Sequence, residues 1–427
     1  MKTIALGAST ALAALSFLGS NAAAQMPGLM PTQPPAPTVQ ADVMAMPAAG
    51  ESVGAFSTLS GTGAGRGEAP ARMYAEASYL LMFVSNNRSE TPLATGGPSN
   101  GVIGRPGTTN LLDTSTSYNT LSGFKIGVGG LVGATSLGFE ISGMAFGRAS
   151  DGATLGPVTS GVLARPFRDP AGRESSVVVS SPGAFTGSLD VQSSITAWGA
   201  EANPFFRVVQ GNSINFDLIT GFRYFSVDES LAIYDSRRVL AGGVAAFDGI
   251  GVGNGSSLVI QDRFSARNQF FGGNIGGRLS YASGTGFFID GTAKVAIGGV
   301  HQIVTVDGTT TLTGGGLVGP ATTAGGVLAN VANGGRSSEN RFAVLPEANI
   351  QLGYQLRSWA NVFVGYQVMY LSNMARAGDQ VSRSLNPNSL PSVSTFNTRG
   401  LASTGVASTT SGDLFLHGFN FGFTLTY

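Results

Sequence analysis

The segment from Phe415 to Tyr427, FLHGFNFGFTLTY, alternates between two kinds of side chain. Large apolar residues occupy most of one set of alternate positions, and glycine, asparagine and threonine occupy most of the other. Because successive side chains of a β-strand point to opposite faces, this segment predicts a strand with one apolar and one small or polar face. Such a strand needs an apolar solvent on one side and a polar environment on the other.

The same alternation recurs along the chain, and the sequence therefore predicts about ten strands. The predicted segments are 73–84, 119–130, 135–147, 184–207, 212–227, 258–281, 286–305, 341–356, 360–371 and 415–427. A tilted strand crosses a bilayer in about 9–11 residues. Segments 184–207, 258–281 and 286–305 are much longer, so we expect their hairpins to project beyond the membrane.

Short and long joins alternate between these segments. The short joins are 131–134, 208–211, 282–285 and 357–359, and the long ones are 85–118, 148–183, 228–257, 306–340 and 372–412. Loops of that length are uncommon in compact soluble domains, whereas outer-membrane barrels alternate short turns with long loops around an even number of strands. The sequence predicts an all-β fold: a single antiparallel up-and-down transmembrane β-barrel with short periplasmic turns and long extracellular loops. Eight or twelve strands stay open as alternatives, because join 306–340 has room for a short hairpin.

The N-terminal part of the chain predicts two further regions before the barrel of residues 73–427. Residues 1–24 combine Lys2, an apolar run from about residue 4 to 18 and an Ala22-Ala23-Ala24 site, the pattern of a secretory signal peptide. The apolar run is shorter than the ~20 residues of a spanning helix, which disfavours a retained anchor. Residues 25–72 are rich in Pro, Ala and Gly and predict a disordered spacer.

Composition limits the classes of function. The chain has 24 basic and 24 acidic residues, so its charge gives no reason to expect nucleic acid as a partner. No later stretch approaches 18 consecutive apolar residues, which excludes an inner-membrane helical protein. Without cysteine, neither a disulfide framework nor a lipid-modified cysteine is available. In lipid, only a closed barrel then satisfies the backbone, and outer-membrane lipid is the expected surroundings.

Aromatic residues on the apolar parity predict how the barrel sits in the membrane. Tyr281, Tyr354 and Tyr427 fall near the expected periplasmic rim, and Tyr224 and Tyr370 near the external one. Amphipathic rings at two depths are typical of the girdles at membrane interfaces.

The closing strand also predicts a partner. Barrel insertion requires a machinery that receives the last strand, and such strands end in an aromatic residue. We interpret Phe419, Phe421, Phe423, Leu425 and Tyr427 as an insertion signal for the barrel-insertion machinery. The sequence gives no oligomeric state.

The opposite parity collects ionisable residues that we expect to line the lumen. They are Glu140, Glu201, Asp217, Arg223, Arg278, Asp290, Lys294 and Glu347. If the hairpin around Gly284 pairs Tyr281 with Phe287, Arg278 falls opposite Asp290. Because buried charges are ordinarily paired, we interpret this charge ladder as structural rather than as a substrate path.

Catalysis and metal binding have little support in the sequence. The two histidines, His301 and His417, are isolated, and His417 lies on the lipid-facing parity. A barrel hydrolase needs a His or Ser engaged with carboxylates in one cleft. No His, Cys or carboxylate cluster has metal-ligand spacing, so the sequence predicts no metal, no cofactor and no enzyme.

Several stretches resemble one bacterial outer-membrane family, the one catalogued as beta-barrel protein seven. They are GRPGTTNLL (104–112), VLARPFRDPAGRESS (162–176), GSLDVQSSITAWGAEANPFFR (187–207), LITGFRYFSVDESLAI (218–233) and RFSARNQFFGGNIGGRLSY (263–281). The resemblance runs from about Tyr74 to Tyr427 and implies a signal peptide, a Pro-rich lead and a single barrel. It implies no catalytic or ligand-binding residues.

The sequence therefore favours an integral outer-membrane β-barrel protein with a structural or surface role and no catalytic activity. A narrow passive channel for small solutes is the first alternative, because about ten strands leave little room beyond the side chains. A barrel hydrolase and a soluble secreted adhesin are further alternatives. The two leading hypotheses differ in whether the lumen conducts.

Overall fold

Ten strands form the wall of the protein in a computed structural model that describes residues 73–427 except 86–89, 116–117, 119, 134, 398–406 and 408. The predicted signal peptide (1–24) and spacer (25–72) lie outside the described residues. The strands are β1 (Met73–Val84), β2 (Leu121–Leu131), β3 (Leu137–Phe146), β4 (Phe185–Gln210), β5 (Ile214–Val239), β6 (Ser256–Ala282), β7 (Phe287–Gly314), β8 (Gly335–Arg357), β9 (Ala360–Ala375) and β10 (Ser411–Thr426).

Each strand pairs antiparallel with the next, and the last pairs with the first. The closing ladder of β1 and β10 runs from Tyr74↔Thr426 to Val84↔Leu416. The ring therefore has ten strands and no edge strand, which is how a sheet can satisfy its backbone in lipid. The predicted up-and-down barrel of ten strands is confirmed, and the alternatives of eight and twelve are wrong. No helix of the described residues is long and apolar enough to cross a membrane.

An apolar belt surrounds the outside of the barrel near its short turns. On β6 the outward residues Phe271, Ile275, Leu279 and Tyr281 are exposed, and the next outward residue towards the long loops is Gln269. The belt on this strand spans about 11 residues, which matches the length that a tilted strand needs to cross the hydrocarbon. We call the two ends of the barrel the short-turn end and the long-loop end.

The five adjacent strands β4 to β8 continue far beyond the belt. They have 26, 26, 27, 28 and 23 residues, whereas β1, β2 and β3 have 12, 11 and 10. The expected projection of β4, β6 and β7 is present, and it includes β5 and β8. Predicted joins 228–257 and 306–340 are correspondingly wrong, since only 240–255 and 315–334 connect the wall strands. The hairpin left open in 306–340 exists as Ala321–Ala324, which pairs with β7.

The long connections fold against the inner side of this extended wall. Four short strands, Pro92–Gly97, Thr109–Asp113, Val162–Arg168 and Glu174–Ser180, form a separate small sheet. Their buried residues, including Leu93, Leu163 and Val179, share an apolar core with wall residues such as Ile260 and Phe264. The barrel is therefore filled by its own loops at the long-loop end.

The turn between β6 and β7 corrects one predicted register. Tyr281 lies opposite Ile289 rather than Phe287, so Arg278 faces Thr292 and Asp290 faces Ser280. The last pair, Ala282↔Phe288, places the centre of the turn at Thr285. Gly284 and Gly286 on either side of it adopt positive φ values, of 73° and 95°, which glycine adopts without steric cost. Because the centre of the turn is Thr285 rather than Gly284, each residue of β6 pairs with the β7 residue two positions beyond the predicted one.

Glycines inside the wall strands make room for aromatic rings of the neighbouring strand. A Cβ on Gly353 would overlap the Phe288 ring directly opposite, and one on Gly138 would overlap the Phe205 ring. Each ring fills space in the lumen and lies over the glycine of the neighbouring strand, where no side chain could fit.

We predict that Gly353→Ala destabilises the barrel by about 1–3 kcal/mol, because the new methyl group must displace the buried Phe288 ring. Gly291→Ala is the matched control in the same sheet, since nothing lies within 4 Å of its Cβ position. Urea unfolding in phospholipid vesicles measures both changes. Equal effects of the two substitutions would contradict the packing argument.

Candidate functional site

The lumen at the short-turn end contains a polar cavity of about 80 Å³. A buried water needs about 10–15 Å³ by this measure and ligand pockets reach ~300–1,000 Å³, so the cavity has room for a few water molecules but not for a large ligand. Its charged lining comprises Glu76, Lys125, Glu140, Arg207, Asp217, Arg278, Asp290, Lys294 and Glu347.

Glu201 on β4 is the centre of a buried network at the inner end of this cavity. Its carboxylate accepts hydrogen bonds from Lys294 Nζ at 2.6 Å, Ser142 Oγ at 3.1 Å and Asn274 Nδ2 at 3.1 Å. Arg223 Nη1 lies 3.9 Å from the same carboxylate and forms a closer ion pair with Glu347. Ion pairs thus link the four strands β4, β5, β7 and β8 across the lumen.

Two further ion pairs lie closer to the short-turn end. Arg278 Nη2 donates to Glu140 Oε2 at 2.5 Å, and the Tyr74 hydroxyl donates to the same carboxylate. Arg207 Nε and Nη2 bind both oxygens of Asp217, at 2.8 and 3.1 Å.

Seven of the eight residues predicted for the charge ladder are therefore in ion pairs. Asp290 is the exception among the described residues: it lines the cavity and forms no ion pair. Sequence reasoning did not include Glu76, Lys125 and Arg207 in the ladder. All three lie on the inward parity of their strands, and that parity is the signal that could have identified them.

An apolar layer crosses the lumen directly above the charged network. On β5 the inward residues after Arg223 are Phe225 and Val227, and on β4 those beyond Glu201 include Ala197 and Ile195. Every wall strand contributes to this layer. Its buried members are Leu80, Met82, Val84, Tyr118, Leu121, Met144, Phe146, Ile195, Ala197, Phe225, Val227, Phe270, Ala296, Val300, Ala343, Leu345, Met369, Leu371, Met374, Leu414 and Leu416.

Residues 373–380, which we call the strap, comprise the last three residues of β9 and the segment that follows them, and beyond Met374 they turn across the lumen above this layer. The strap leaves the wall at the end of β9 and binds buried side chains of the opposite strands. Asn268 of β6 exchanges two hydrogen bonds with the Ala375 backbone, at 2.7 and 2.8 Å. Glu229 of β5 accepts from Arg376 Nε at 2.7 Å and from the Ala377 amide at 3.1 Å.

The apolar core that the small sheet and other loops share with the extended wall, which we call the loop core, closes the barrel a second time above the strap. Within it, Arg165 from the small sheet forms a fully buried ion pair with Asp262 of β6. Asp262 also accepts the Ala329 amide at 2.8 Å, so one wall carboxylate holds two separate loops. The described side chains thus close the lumen at two heights.

The predicted interface tyrosines lie on the outer surface at both borders of the belt. Tyr281, Tyr354 and Tyr427 are exposed at the short-turn end. Tyr224 lies at the other border, with its ring centroid 4.8 Å from Trp198 and 4.9 Å from Phe271, and Tyr370 pairs with Phe415. Their role at the membrane interface stays a prediction.

On β10, the predicted insertion signal forms an outward row in which Phe419, Phe421, Phe423 and Tyr427 are exposed and Leu425 is half-buried. Recognition of this row by the insertion machinery stays a prediction.

The two histidines have neutral partners. His301 Nδ1 lies 2.8 Å from Asn340 Oδ1, and His417 Nδ1 lies 2.7 Å from the Tyr366 hydroxyl. In the described part of the chain, no three His, Cys, Asp or Glu residues come together as a metal site.

A closed antiparallel ring with an apolar belt outside and a polar cavity inside defines an outer-membrane β-barrel. The sequence profile of the family described as "Putative beta barrel porin-7 (BBP7)" matches residues 74–427, and the chain belongs to this family. The family resemblance expected from the loop and strand stretches is confirmed. A comparison with curated proteins finds no match.

Solved outer-membrane barrels are similar to the chain at low identity. The outer membrane protease OmpT from Escherichia coli is 11% identical, with a TM-score of 0.36 over 83% of this chain and 97% of that one. The transport unit of the autotransporter AIDA-I from Escherichia coli is 7% identical, with a TM-score of 0.24 over 83% and 90%. A Pseudomonas aeruginosa FadL homologue is 8% identical, with a TM-score of 0.21 over 84% and 90%.

We predict that Glu201→Gln lowers the unfolding free energy by about 3–5 kcal/mol, because it leaves the buried Lys294 ammonium without its closest carboxylate. Asp228→Asn is the control: it breaks a pair with Arg267 whose side chain is 59% exposed, and should cost at most about 1 kcal/mol. Urea titration of both variants measures the difference. A loss at Glu201 no larger than at Asp228 would contradict a structural role for the network.

Proposed function

We propose that this protein is a closed barrel of the outer membrane with a structural or surface role and no catalytic activity. The observation that supports this proposal best is the apolar layer, to which all ten wall strands contribute. An ion or hydrated solute crossing this layer would lose its water without receiving polar partners in exchange. The loop core above the strap adds a second barrier of the same kind.

The extended wall suits a surface role. With the short turns in the periplasm, β4 to β8 carry the loop core outward, well above the lipid. The small sheet and the strap brace this projection from within, through the Arg165–Asp262 and Arg376–Glu229 ion pairs. A rigid, loop-filled projection can present a defined surface to the outside, whereas a pore needs its loops out of the path.

Two partners follow from the outer surface. Outer-membrane lipid surrounds the belt, and the barrel-insertion machinery receives β10 through its outward aromatic row. Both are shared by barrels of this class, so neither distinguishes one role from another.

A narrow passive channel remains the alternative, and one observation favours it. The strap is fixed to the opposite wall by hydrogen bonds and one ion pair rather than by a strand ladder. If the strap and the apolar layer moved together, the polar cavity would become the inner half of a path for small solutes.

We predict that the purified protein shows no stable conductance steps in planar bilayers, because the apolar layer blocks the passage of water and ions through the lumen. A general porin inserted from the same detergent under the same voltage provides the positive control. Reproducible single-channel steps from this protein would favour the channel and overturn the proposal.

We further predict that two inward positions of β8 differ in their access to water. Asn349→Cys lies in the polar cavity and should react with a charged thiol reagent, whereas Leu345→Cys lies in the apolar layer and should react at least about 100-fold more slowly. The protein has no cysteine of its own, so each variant carries a single thiol. Similar rates at both positions would show that water passes the layer.

A further inference from the structure

The ladder between β8 and β9 stops before either strand ends. Their last paired residues are Glu347 and Met369, although β8 begins at Gly335 and β9 continues to Ala375. Over the rest of its length, β8 pairs with β7 alone among the described strands. The wall therefore has a seam, which we define as residues 342–346 of β8 facing 370–374 of β9.

The cause of the seam is visible in the sequence. The Val344 amide and the Phe342 carbonyl both point towards β9, so alternate residues of β8 direct their backbone groups to that strand. Pro346 has the same parity and would pair next with Tyr370, but proline has no N–H to donate. The strand ladder ends where this donor is missing.

Side chains replace the ladder beyond this point. Ser372 Oγ accepts the Val344 amide at 2.9 Å, and Asn373 Nδ2 donates to the Phe342 carbonyl at 2.9 Å. Asn373 has a φ of 51°, an uncommon value for a residue other than glycine, and the pairing of β9 with β10 shifts between Leu371 and Met374. Two side-chain hydrogen bonds separate more easily than a continuous ladder.

The seam joins two apolar environments. On its outer side, Phe342 is 67% exposed at the upper border of the belt. On its inner side, Leu345, Leu371 and Met374 belong to the apolar layer of the lumen. A water-soluble molecule meets an unfavourable environment on both sides, and a hydrocarbon chain meets a favourable one on both.

We propose that the seam is a lateral entrance through which an acyl chain of an outer-membrane lipid reaches the apolar layer. The occupant is a lipid chain because lipid is the solvent at the outer mouth, and because the path behind it is lined by aliphatic side chains. Opening breaks the two side-chain hydrogen bonds and leaves the charged network below the layer intact. This entrance goes beyond a structural or surface role and does not require the lumen to conduct water.

Quenching of a lumen tryptophan by brominated acyl chains tests the entrance. Trp198 and Trp359, both exposed on the outside, are replaced by Phe, and Phe270→Trp places one reporter inside the apolar layer. Phe271→Trp, the neighbouring outward residue, is the control that lipid must quench in every state. The pair Val344→Cys and Ser372→Cys then locks the seam on oxidation, and the locked state gives the level of quenching through the wall.

We expect quenching of the Phe270→Trp reporter to fall at least twofold on oxidation and to return on reduction, while Phe271→Trp does not change. Pro346→Val supplies the missing N–H and should lower the reporter's quenching without a cross-link, which provides a second variant if the cysteine pair folds poorly. Quenching that is equal in the open, locked and Pro346→Val proteins would overturn the entrance. Conductance measurements bear on the proposed function and not on this result.

Discussion

Pairing of the backbone in lipid is the constraint on which the rest of this structure depends. A strand in hydrocarbon must give every N–H and C=O a partner, and the ladder from Tyr74↔Thr426 to Val84↔Leu416 closes the ring so that no edge remains within the belt. Closure fixes the two faces of every strand, because a slip of one residue would turn the apolar face inward. The belt outside and the charges inside are both consequences of this register.

A ring of ten strands leaves a narrow interior, and the chain fills it in layers that differ in their chemistry. Carboxylates and cations near the short turns satisfy one another, as in the contacts of Glu201 with Lys294 and Glu140 with Arg278. The aliphatic and aromatic layer above needs no partners and excludes water. Above this layer, the buried amide of Asn268 lies where the strap crosses, because the backbone groups of the strap need partners from the wall.

Sequence reasoning succeeded where the two faces of a strand meet different environments. Within the belt, lipid requires apolar residues at the outward positions and the lumen accepts polar residues at the inward ones. The strands, their number and all the ion-paired lumen charges near the short turns except Arg207 were therefore predictable. Beyond the belt the rule changes: Asp228 and Arg267 face water while Leu231 and Phe264 face the loop core, so the apolar parity is inverted. Predicted β5 therefore ended at 227 instead of Val239. The apolar layer was missed because residues 79–82 are all apolar or aromatic. Leu80 and Met82 face inward and Tyr79 and Leu81 face outward, so the alternation of polar and apolar residues that marks the inward face is absent there.

The height of the seam follows from the same physics. A gap in the ladder beside the charged network would place unpaired backbone between lipid and buried ions, at a cost of several kcal/mol per unsatisfied group. Beside the apolar layer the side chains exposed by a gap are already apolar, and the hydroxyl of Ser372 and the amide of Asn373 suffice for the backbone. A proline in β8 is tolerated at residue 346 for this reason. At Gln351, five residues further along, a proline would remove a backbone N–H donor between the lipid and the polar cavity.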